Sequence, residues 1–251
     1  MLLVSAAGAE VDVLLSPVLG ITGISFLWLF LKLDTITSRT RMFPNRIFDL
    51  NDPVGAGLLM VFAASAATMS FMVYGAFLLD VLHAVNPLTA GYILAMESVA
   101  WGVAAIVFSH VPQSLEKWLI RTGVAVVTAG VLGLALCMRS DELWMILPWP
   151  VCQGAGFGMM WGFVVRRFVA EVPEQVQASS ALPTTQQIGF AVGAAACGVV
   201  ANVTGFADGV SADAAQRVAF WVFAVFVPLM LFANAAAWKF TGQVYAVPRD
   251  V

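Results

Sequence analysis

Long, unbroken runs of apolar residues constrain the fold of this chain more than any other feature of its sequence. Each run has roughly the 20 residues that an α-helix needs to cross the hydrocarbon of a bilayer. Backbone N–H and C=O groups in hydrocarbon must be paired within the protein, so only helices or closed barrels can span it. The runs are continuous and do not alternate with a period of two, which predicts helices. Seven runs qualify: 13–31, 54–82, 88–108, 118–138, 143–165, 178–206 and 218–238.

Composition indicates that lipid surrounds most of the chain. Hydrophobic residues make up 61% of the sequence and charged residues only 11%, whereas about 25% of the residues of a typical soluble domain are charged. So few charged residues cannot cover a water-soluble globule of this size. The sequence also contains no basic run with interleaved aromatic residues, so a nucleic-acid partner is not expected. We therefore predict an all-α, polytopic membrane protein with about seven transmembrane helices.

Basic residues are divided very unequally between the two predicted sides of the membrane. Cytoplasmic loops of membrane proteins are enriched in Lys and Arg. The side with more basic residues is therefore predicted to be cytoplasmic, which places the C-terminus inside and the N-terminus outside. This side has ten basic residues and the other side has two. The ten are Lys32, Arg39, Arg41, Arg46, Lys117, Arg121, Arg166, Arg167, Lys239 and Arg249, and the two are Arg139 and Arg217.

These predictions divide the chain into four regions of a multi-pass protein of the inner or plasma membrane. The first ten residues contain no Lys or Arg, which favours a permanent first span over a cleaved secretory signal. The regions are a first transmembrane helix at 1–33, a cytoplasmic linker at 34–53, a six-helix transmembrane bundle at 54–240 and a cytoplasmic tail at 241–251.

Two helical segments carry glycines at a spacing that is typical of close helix packing. Gly154, Gly158 and Gly162 repeat every four residues in the fifth segment, and Gly189 and Gly193 have the same spacing in the sixth. Small residues at this spacing form a smooth stripe that lets helices approach closely in lipid. A second interpretation, in which the glycine-rich helix bends during transport, involves the same residues and stays open.

Glu97 is the clearest candidate for a functional residue, because it lies near the middle of the third segment. A carboxylate at that depth costs several kcal/mol unless it is protonated, paired or in contact with water. Trp101 lies one turn further along the same helix face. An aromatic ring beside a protonatable acid suits a pathway for protons and a bulky, partly apolar solute. The alternative is a structural glutamate that is hydrogen-bonded to a neighbouring helix.

Other polar side chains also fall within or beside the apolar segments. Gln186 and Gln187 follow Pro183, which removes a backbone hydrogen bond and can bend a helix. Together with Gln153 they are candidates for substrate binding, and hydrogen bonding between helices is an equally good interpretation. Asp80 lies at the outer mouth of the second segment, where a gating or proton-entry role is the less favoured interpretation.

The sequence contains no arrangement typical of an enzyme. His83 and His110 lie on opposite predicted sides of the membrane, so they cannot share a metal site or a catalytic triad. Neither a phosphate-binding loop nor a dinucleotide fingerprint is present. The three cysteines lie inside apolar runs and are interpreted as small packing residues. We therefore expect no enzymatic activity, no cofactor and no metal site.

Several short motifs carry a resemblance to a known family, and the first is LLDVLHAVNPLTAGY at 78–92. It is similar to the outer turn between helices seven and eight of major facilitator superfamily transporters, in particular of their drug:proton antiporter branch. QGAGFG at 153–158 is similar to its glycine-rich tenth helix. VPE at 172–174, ASSA at 178–181, and QQIG at 186–189 with Gly193 resemble its tenth-to-eleventh loop and eleventh helix.

The resemblance implies that segments two to seven correspond to helices seven to twelve of such a transporter and segment one to helix six. It further implies proton-coupled export of small organic compounds through a site that includes the polar residues above. These transporters bind substrate between two six-helix halves, so an N-terminal half or a second copy of the chain is an expected partner. The alternatives are a seven-helix receptor or sensor, and a membrane scaffold that transports nothing.

Overall fold

A computed structural model describes residues 15–36, 43, 52–171, 175–205 and 212–242. Every regular element within these ranges is helical, and no strand occurs in them. They include two short 3₁₀ turns, Gln113–Leu115 and Leu143–Met145. The α-helices are α1 (Leu15–Ile36), α2 (Pro53–His83), α3 (Pro87–Phe108), α4 (Glu116–Cys137), α5 (Pro148–Glu171), α6 (Gln175–Val203), α7 (Ala212–Ala224) and α8 (Val227–Gly242).

Five of the helical segments are long and apolar enough to cross a membrane. They are α2, α3, α4 with its preceding turn, most of α6, and the segment Asp213–Gly242, which combines most of α7 with α8. The prediction of an all-α fold is thereby confirmed for the described residues, and the five apolar helices agree with the prediction of a membrane protein. The first and fifth predicted segments also coincide with helices, α1 and α5, but these are not among the five. The count of seven spans stays a prediction.

The turn between α2 and α3 shows why α2 ends at His83 and why α3 begins at Pro87. Ala84 adopts a left-handed conformation with φ of 50°, and its N–H group bonds to the carbonyl oxygens of Leu79 and Asp80. The side chain of Asn86 then accepts a hydrogen bond from the N–H of Thr89 at 2.9 Å, and Pro87 opens α3. A capping side chain followed by proline is a strong start signal for a helix.

The helices from α2 onwards form two groups of three, which pack against each other through equivalent pairs of helices. The first group is α2, α3 and α4, and the second is α5, α6 and the α7–α8 pair. The first helix of each group packs extensively against the second helix of the other, as α2 does with α6 and α5 with α3. The third element of each group packs against the first of the other, as α8 does with α2 and α4 with α5.

Glycines allow the closest of these helix contacts. A side chain at Gly154 or Gly158 would clash with the backbone carbonyl of Glu97 or Trp101 on α3. On α6, a Cβ atom at Gly189 would lie 2.7 Å from the carbonyl oxygen of Phe62. Gly193 faces the backbone of Ala66 in the same way.

Gly162, the third member of the predicted stripe on α5, differs from Gly154 and Gly158. It is exposed, and a Cβ atom there would have no neighbour within 4 Å. The contacts of Gly154 with Glu97 and of Gly158 with Trp101 show that α3 and α5 run in the same direction. Since α3 ends at Phe108, its contact with α5 ends within about one turn beyond Gly158. Close packing therefore involves the first two glycines of the stripe.

Side-chain contacts define two ends of the bundle. The starts of α2 and α4 meet the ends of α5 and α8, as the contacts of Gly57 with Phe240 and of Glu116 with Arg167 show. We call this the basic end. At the opposite end, the Nε2 atom of His83 donates to the carbonyl of Met138 at 3.1 Å. The linker arginines, Arg249 and most of the regions predicted as linker and tail lie outside the described residues.

Candidate functional site

Glu97 is buried in the middle of α3 without a partner for one of its carboxylate oxygens. The residue is only 9% exposed. Its Oε2 atom is buried and has no hydrogen-bond partner among the described residues. The backbone carbonyl of the same residue packs against Gly154 of α5. The glycine thus brings the backbone of α5 directly beside the acidic residue.

Gln153, the neighbour of Gly154, is completely buried between α5 and α4. Both its amide nitrogen and its amide oxygen lack hydrogen-bond partners in the described part of the chain. The side chain lies against Gly130 of α4, where any larger residue would collide with its Cγ atom. Trp149 lies one turn earlier on α5, and its indole Nε1 atom is also buried without a partner among the described residues. We refer to the side chains of Glu97, Gln153 and Trp149 as the buried polar groups.

Three aromatic rings lie further along α3 and α5, towards the basic end. Trp101 lies one turn beyond Glu97 on α3, and Phe157 lies one turn beyond Gln153 on α5. Their ring centroids are 5.4 Å apart. Trp161 completes the group, with its ring centroid 6.4 Å from that of Trp101 and 6.5 Å from that of Phe157. The tryptophan predicted to accompany Glu97 is therefore packed between aromatic neighbours and is only partly buried.

The unpartnered atoms of these three side chains are strong hydrogen-bonding groups. A buried polar group without a partner costs about 1–3 kcal/mol, and most such groups in proteins are hydrogen-bonded. Gln153 offers donors and an acceptor, Trp149 a donor, and Glu97 either an acceptor or, when protonated, a donor. Water, a proton or a polar solute would satisfy such groups.

The structure places the remaining candidates on other parts of the bundle. Gln186 and Gln187 lie on α6, which packs mainly against α2. The amide nitrogen of Gln186 is buried without a described partner, whereas Gln187 is exposed. Asp80 is exposed near the end of α2. Ser65 of α2, which the sequence did not single out, has a buried Oγ atom without a described partner and faces Gly189.

The strongest electrostatic feature lies at the basic end and was not predicted. Arg167 is 1% exposed and Glu116 is 3% exposed. The Nη1 atom of Arg167 donates to Oε1 of Glu116 at 3.3 Å, and its Nε atom donates to the carbonyl of Phe240 at 2.9 Å. One arginine thus connects α5 to the start of α4 and the end of α8. Sequence reasoning had counted Arg167 only as a charge in a cytoplasmic loop.

A second link at the basic end joins α4 to α8. The Nε atom of Arg121 donates to the Oγ1 atom of Thr241 at 2.7 Å, and the guanidinium carbon lies 3.7 Å from the ring centroid of Trp238. Thr241 in turn donates to the carbonyl of Ala237 at 2.7 Å. Charged and polar side chains therefore hold the start of α4 to the ends of α5 and α8.

Metal binding was tested on the side chains that the structure describes. Within that part of the chain, no three His, Cys, Asp or Glu residues lie close enough together to hold an ion. All three cysteines are free thiols, and Cys197 is fully buried in α6.

No protein-family model matches this chain, and no curated protein sequence matches it. The likeness to major facilitator transporters therefore depends on the motifs described above.

Proposed function

We propose that this chain forms one six-helix half, with one preceding helix, of a secondary active transporter of the major facilitator type. Its function would be the proton-coupled export of small organic compounds across the cell membrane. The single observation that carries the proposal is the buried carboxyl group of Glu97 on α3, a helix that is long and apolar enough to span a membrane. Ionisable residues buried in membrane helices are rare and are typically functional, and Glu97 has an unpartnered oxygen there.

The arrangement of the helices supports the proposal independently of the site. Many transporters are built from repeats of opposite topology that are related by a pseudo-two-fold axis. In this chain α2 begins at the basic end whereas α5 ends there. The two groups of three helices therefore run in opposite directions. The first helix of each group also packs against the second helix of the other group: α2 packs against α6, and α5 packs against α3.

The position of Glu97 suits a proton carrier. A protonated glutamate is neutral and can remain in the apolar core, whereas its ionised form needs water or a cation. Gln153, on the helix that packs against α3, can bond to a solute in either state of the acid. The aromatic rings of Trp101 and Trp161 provide an apolar wall next to these polar groups. A facing half, from an N-terminal half or a second copy of the chain, would complete the cavity.

The decisive experiment measures proton flux after Glu97→Gln substitution. The purified protein is reconstituted in liposomes that contain a pH-sensitive dye, and aromatic organic compounds are added under an imposed pH gradient. We expect saturable, solute-dependent proton movement in the parent protein. We expect this movement to be lost in Glu97→Gln, because an amide has the shape of the acid but cannot release a proton.

The matched control is Glu142→Gln, which makes the same change at an exposed turn outside the helices. It should leave flux unchanged. Equal yield and equal thermal unfolding of both variants would show that insertion is intact. Parental flux that persists in Glu97→Gln would remove Glu97 from the mechanism. Saturable ligand binding by the parent protein without any flux would replace the proposal with a receptor.

A further inference from the structure

Two basic residues near the start of α4 carry charges that no described carboxylate neutralises. Lys117 and Arg121 are four residues apart on this helix, so their Cβ atoms lie about 6 Å from each other on one face. In the described part of the chain neither of them forms an ion pair. The neighbouring Glu116 is buried and already pairs with Arg166 and Arg167. We call Lys117 and Arg121 the α4 basic patch.

The guanidinium group of Arg121 is held in place at the surface of the bundle. Its Nε atom donates to Thr241, and the group stacks on the ring of Trp238. Thr241 is fully buried, whereas Trp238 is 58% exposed, so the guanidinium group lies between the interior and the surface. No described residue accepts a hydrogen bond from its two Nη groups. A guanidinium group that is already ordered loses less entropy when it binds an anion.

The α4 basic patch lies at the level where the lipid headgroups of a membrane are expected. The segment that contains α4 and the segment that ends with α8 are both able to span a membrane, and they meet at Arg121 and Thr241. Trp118 is 62% exposed beside the patch, as is Trp238 to a similar extent, and tryptophans are enriched at the membrane–water interface. Helical side chains lean towards the start of their helix, so those of Lys117 and Arg121 lean out of the hydrocarbon towards this interface.

We propose that the α4 basic patch binds the phosphate of one anionic phospholipid, with the rest of the lipid beside the exposed rings of Trp118 and Trp238. A phosphodiester has two unesterified oxygens, which suit one ammonium and one guanidinium group. Clusters of basic residues at the ends of membrane helices are typical binding sites for acidic headgroups. A zwitterionic lipid has the same phosphate, but its own ammonium group is repelled by the two cations. The site requires a membrane around the bundle and does not depend on transport.

The test uses the full chain in vesicles made of equal parts of phosphatidylcholine and phosphatidylglycerol. Native mass spectrometry then identifies the lipids that stay bound after extraction in mild detergent. We expect one phosphatidylglycerol molecule to be retained in preference to phosphatidylcholine. In Lys117→Gln, retention of phosphatidylglycerol should fall about fivefold, which is the effect of one lysine near an anionic headgroup. Arg121→Gln should lower retention at least as much, because a guanidinium group can donate two hydrogen bonds to a phosphate. Lys117→Gln decides the result alone if Arg121→Gln, which also loses the bond to Thr241, fails to fold.

Two control variants make the same chemical change elsewhere. Arg166→Gln removes a charge at the same end that is already paired with Glu116, and Arg139→Gln removes a cation that stacks on Phe220 at the opposite end. Both should retain phosphatidylglycerol as the parent protein does. Equal losses in Arg166→Gln and Lys117→Gln would overturn the proposal in favour of general attraction to the basic surface. Equal retention of both lipids by the parent protein, or displacement of the bound lipid by inorganic phosphate, would also overturn it.

Discussion

Arg167 shows how a single side chain can determine the geometry of this bundle. It is the largest side chain among the fully buried residues of the described structure. Its planar guanidinium bonds to a carboxylate in one direction and to a backbone carbonyl in another, which an ammonium group on a flexible chain does less well. The carbonyl of Phe240 lies in the last turn of α8, where it lacks the usual helical partner. Arg167 therefore connects three helices.

Removal of this arginine should destabilise the protein strongly. Arg167→Met leaves the buried carboxylate of Glu116 without its closest partner, and breaking such a pair typically costs about 3–5 kcal/mol. In the double variant Glu116→Gln with Arg167→Met, both charges are absent, so most of the loss should be recovered. The measurement is the free energy of unfolding in mixed detergent micelles, with helix content followed by circular dichroism.

Arg166→Met is the matched control for this prediction. The side chain of Arg166 is 48% exposed, and its Nε atom lies 3.8 Å from Oε2 of Glu116. An ion pair at this distance, with the arginine half exposed to solvent, contributes at most about 1 kcal/mol. A loss in Arg166→Met as large as that in Arg167→Met would show that burial of the second arginine has no special role.

The sequence could not distinguish these two adjacent arginines. Both Arg166 and Arg167 follow the apolar part of the fifth segment, and both were counted as loop charges. Which of them points inward depends on the rotation of α5, and that rotation is determined by packing against α3 and α4. The partner carboxylate, Glu116, is 51 residues away in sequence. Glu97 was easier to identify because its position inside an apolar run is unfavourable by itself.

At the level of the helices, sequence reasoning located most elements but missed a break in the last one. The apolar run 218–238 predicts one helix, whereas the structure has α7 and α8 separated at Val225 and Phe226. Pro228 explains the break, because proline has no N–H group to continue the helical hydrogen bonds and its ring clashes with the preceding turn. Apolar composition predicts the length of a span, but a proline near its centre changes the geometry within it.

The fifth predicted segment shows a similar effect at its start. The run 143–165 predicts a helix from its first residue, but Leu143–Met145 forms a 3₁₀ turn and α5 begins at Pro148. Proline is favoured in the first turn of a helix and disfavoured further inside. The helix then continues beyond the apolar run to Glu171, because Arg167 is bonded to the other helices and does not end in solvent.

Substitution of a glycine should separate its packing role from its helical propensity. In Gly154→Ala the new methyl group would meet the carbonyl of Glu97, so α3 and α5 must move apart. Overpacking of this kind costs about 1–3 kcal/mol. The thermal midpoint of unfolding in detergent should therefore fall, and the orientation of Glu97 relative to Gln153 should change with it.

Gly162→Ala supplies the comparison on the same helix and at the same spacing. Its position is open, and alanine is a better helix former than glycine by about 1 kcal/mol. The stability of this variant should be unchanged or slightly higher. Equal destabilisation by both substitutions would show that the contact between α3 and α5 is not what makes Gly154 necessary.

For the whole molecule, the positions of the basic residues can be compared with the two ends of the helix bundle. Contacts at the basic end bring Glu116, Arg121 and Arg167 together with the end of α8. Arg139 lies at the other end, where its guanidinium carbon is 4.8 Å from the ring centroid of Phe220. Glu116, Arg121 and Arg167 on one side and Arg139 on the other thus lie at the ends that the loop count predicts. The side of the membrane that each end faces stays a prediction from the positive-inside rule.

That orientation can be tested by labelling single cysteines in intact cells with a membrane-impermeant maleimide. The background variant replaces the three natural cysteines by alanine. Asp141→Cys lies in an exposed turn at the end opposite to the basic end, and Lys239→Cys lies at the basic end. We expect labelling of Asp141→Cys in intact cells and of Lys239→Cys only after the membrane is opened, because the end with excess Lys and Arg should remain in the cytoplasm. The reverse pattern would refute the charge argument. Labelling of both positions in intact cells would place both ends of α4 outside the cell. That result would contradict the contact between Arg121 and Thr241, which puts the start of α4 and the end of α8 at the same end of the bundle.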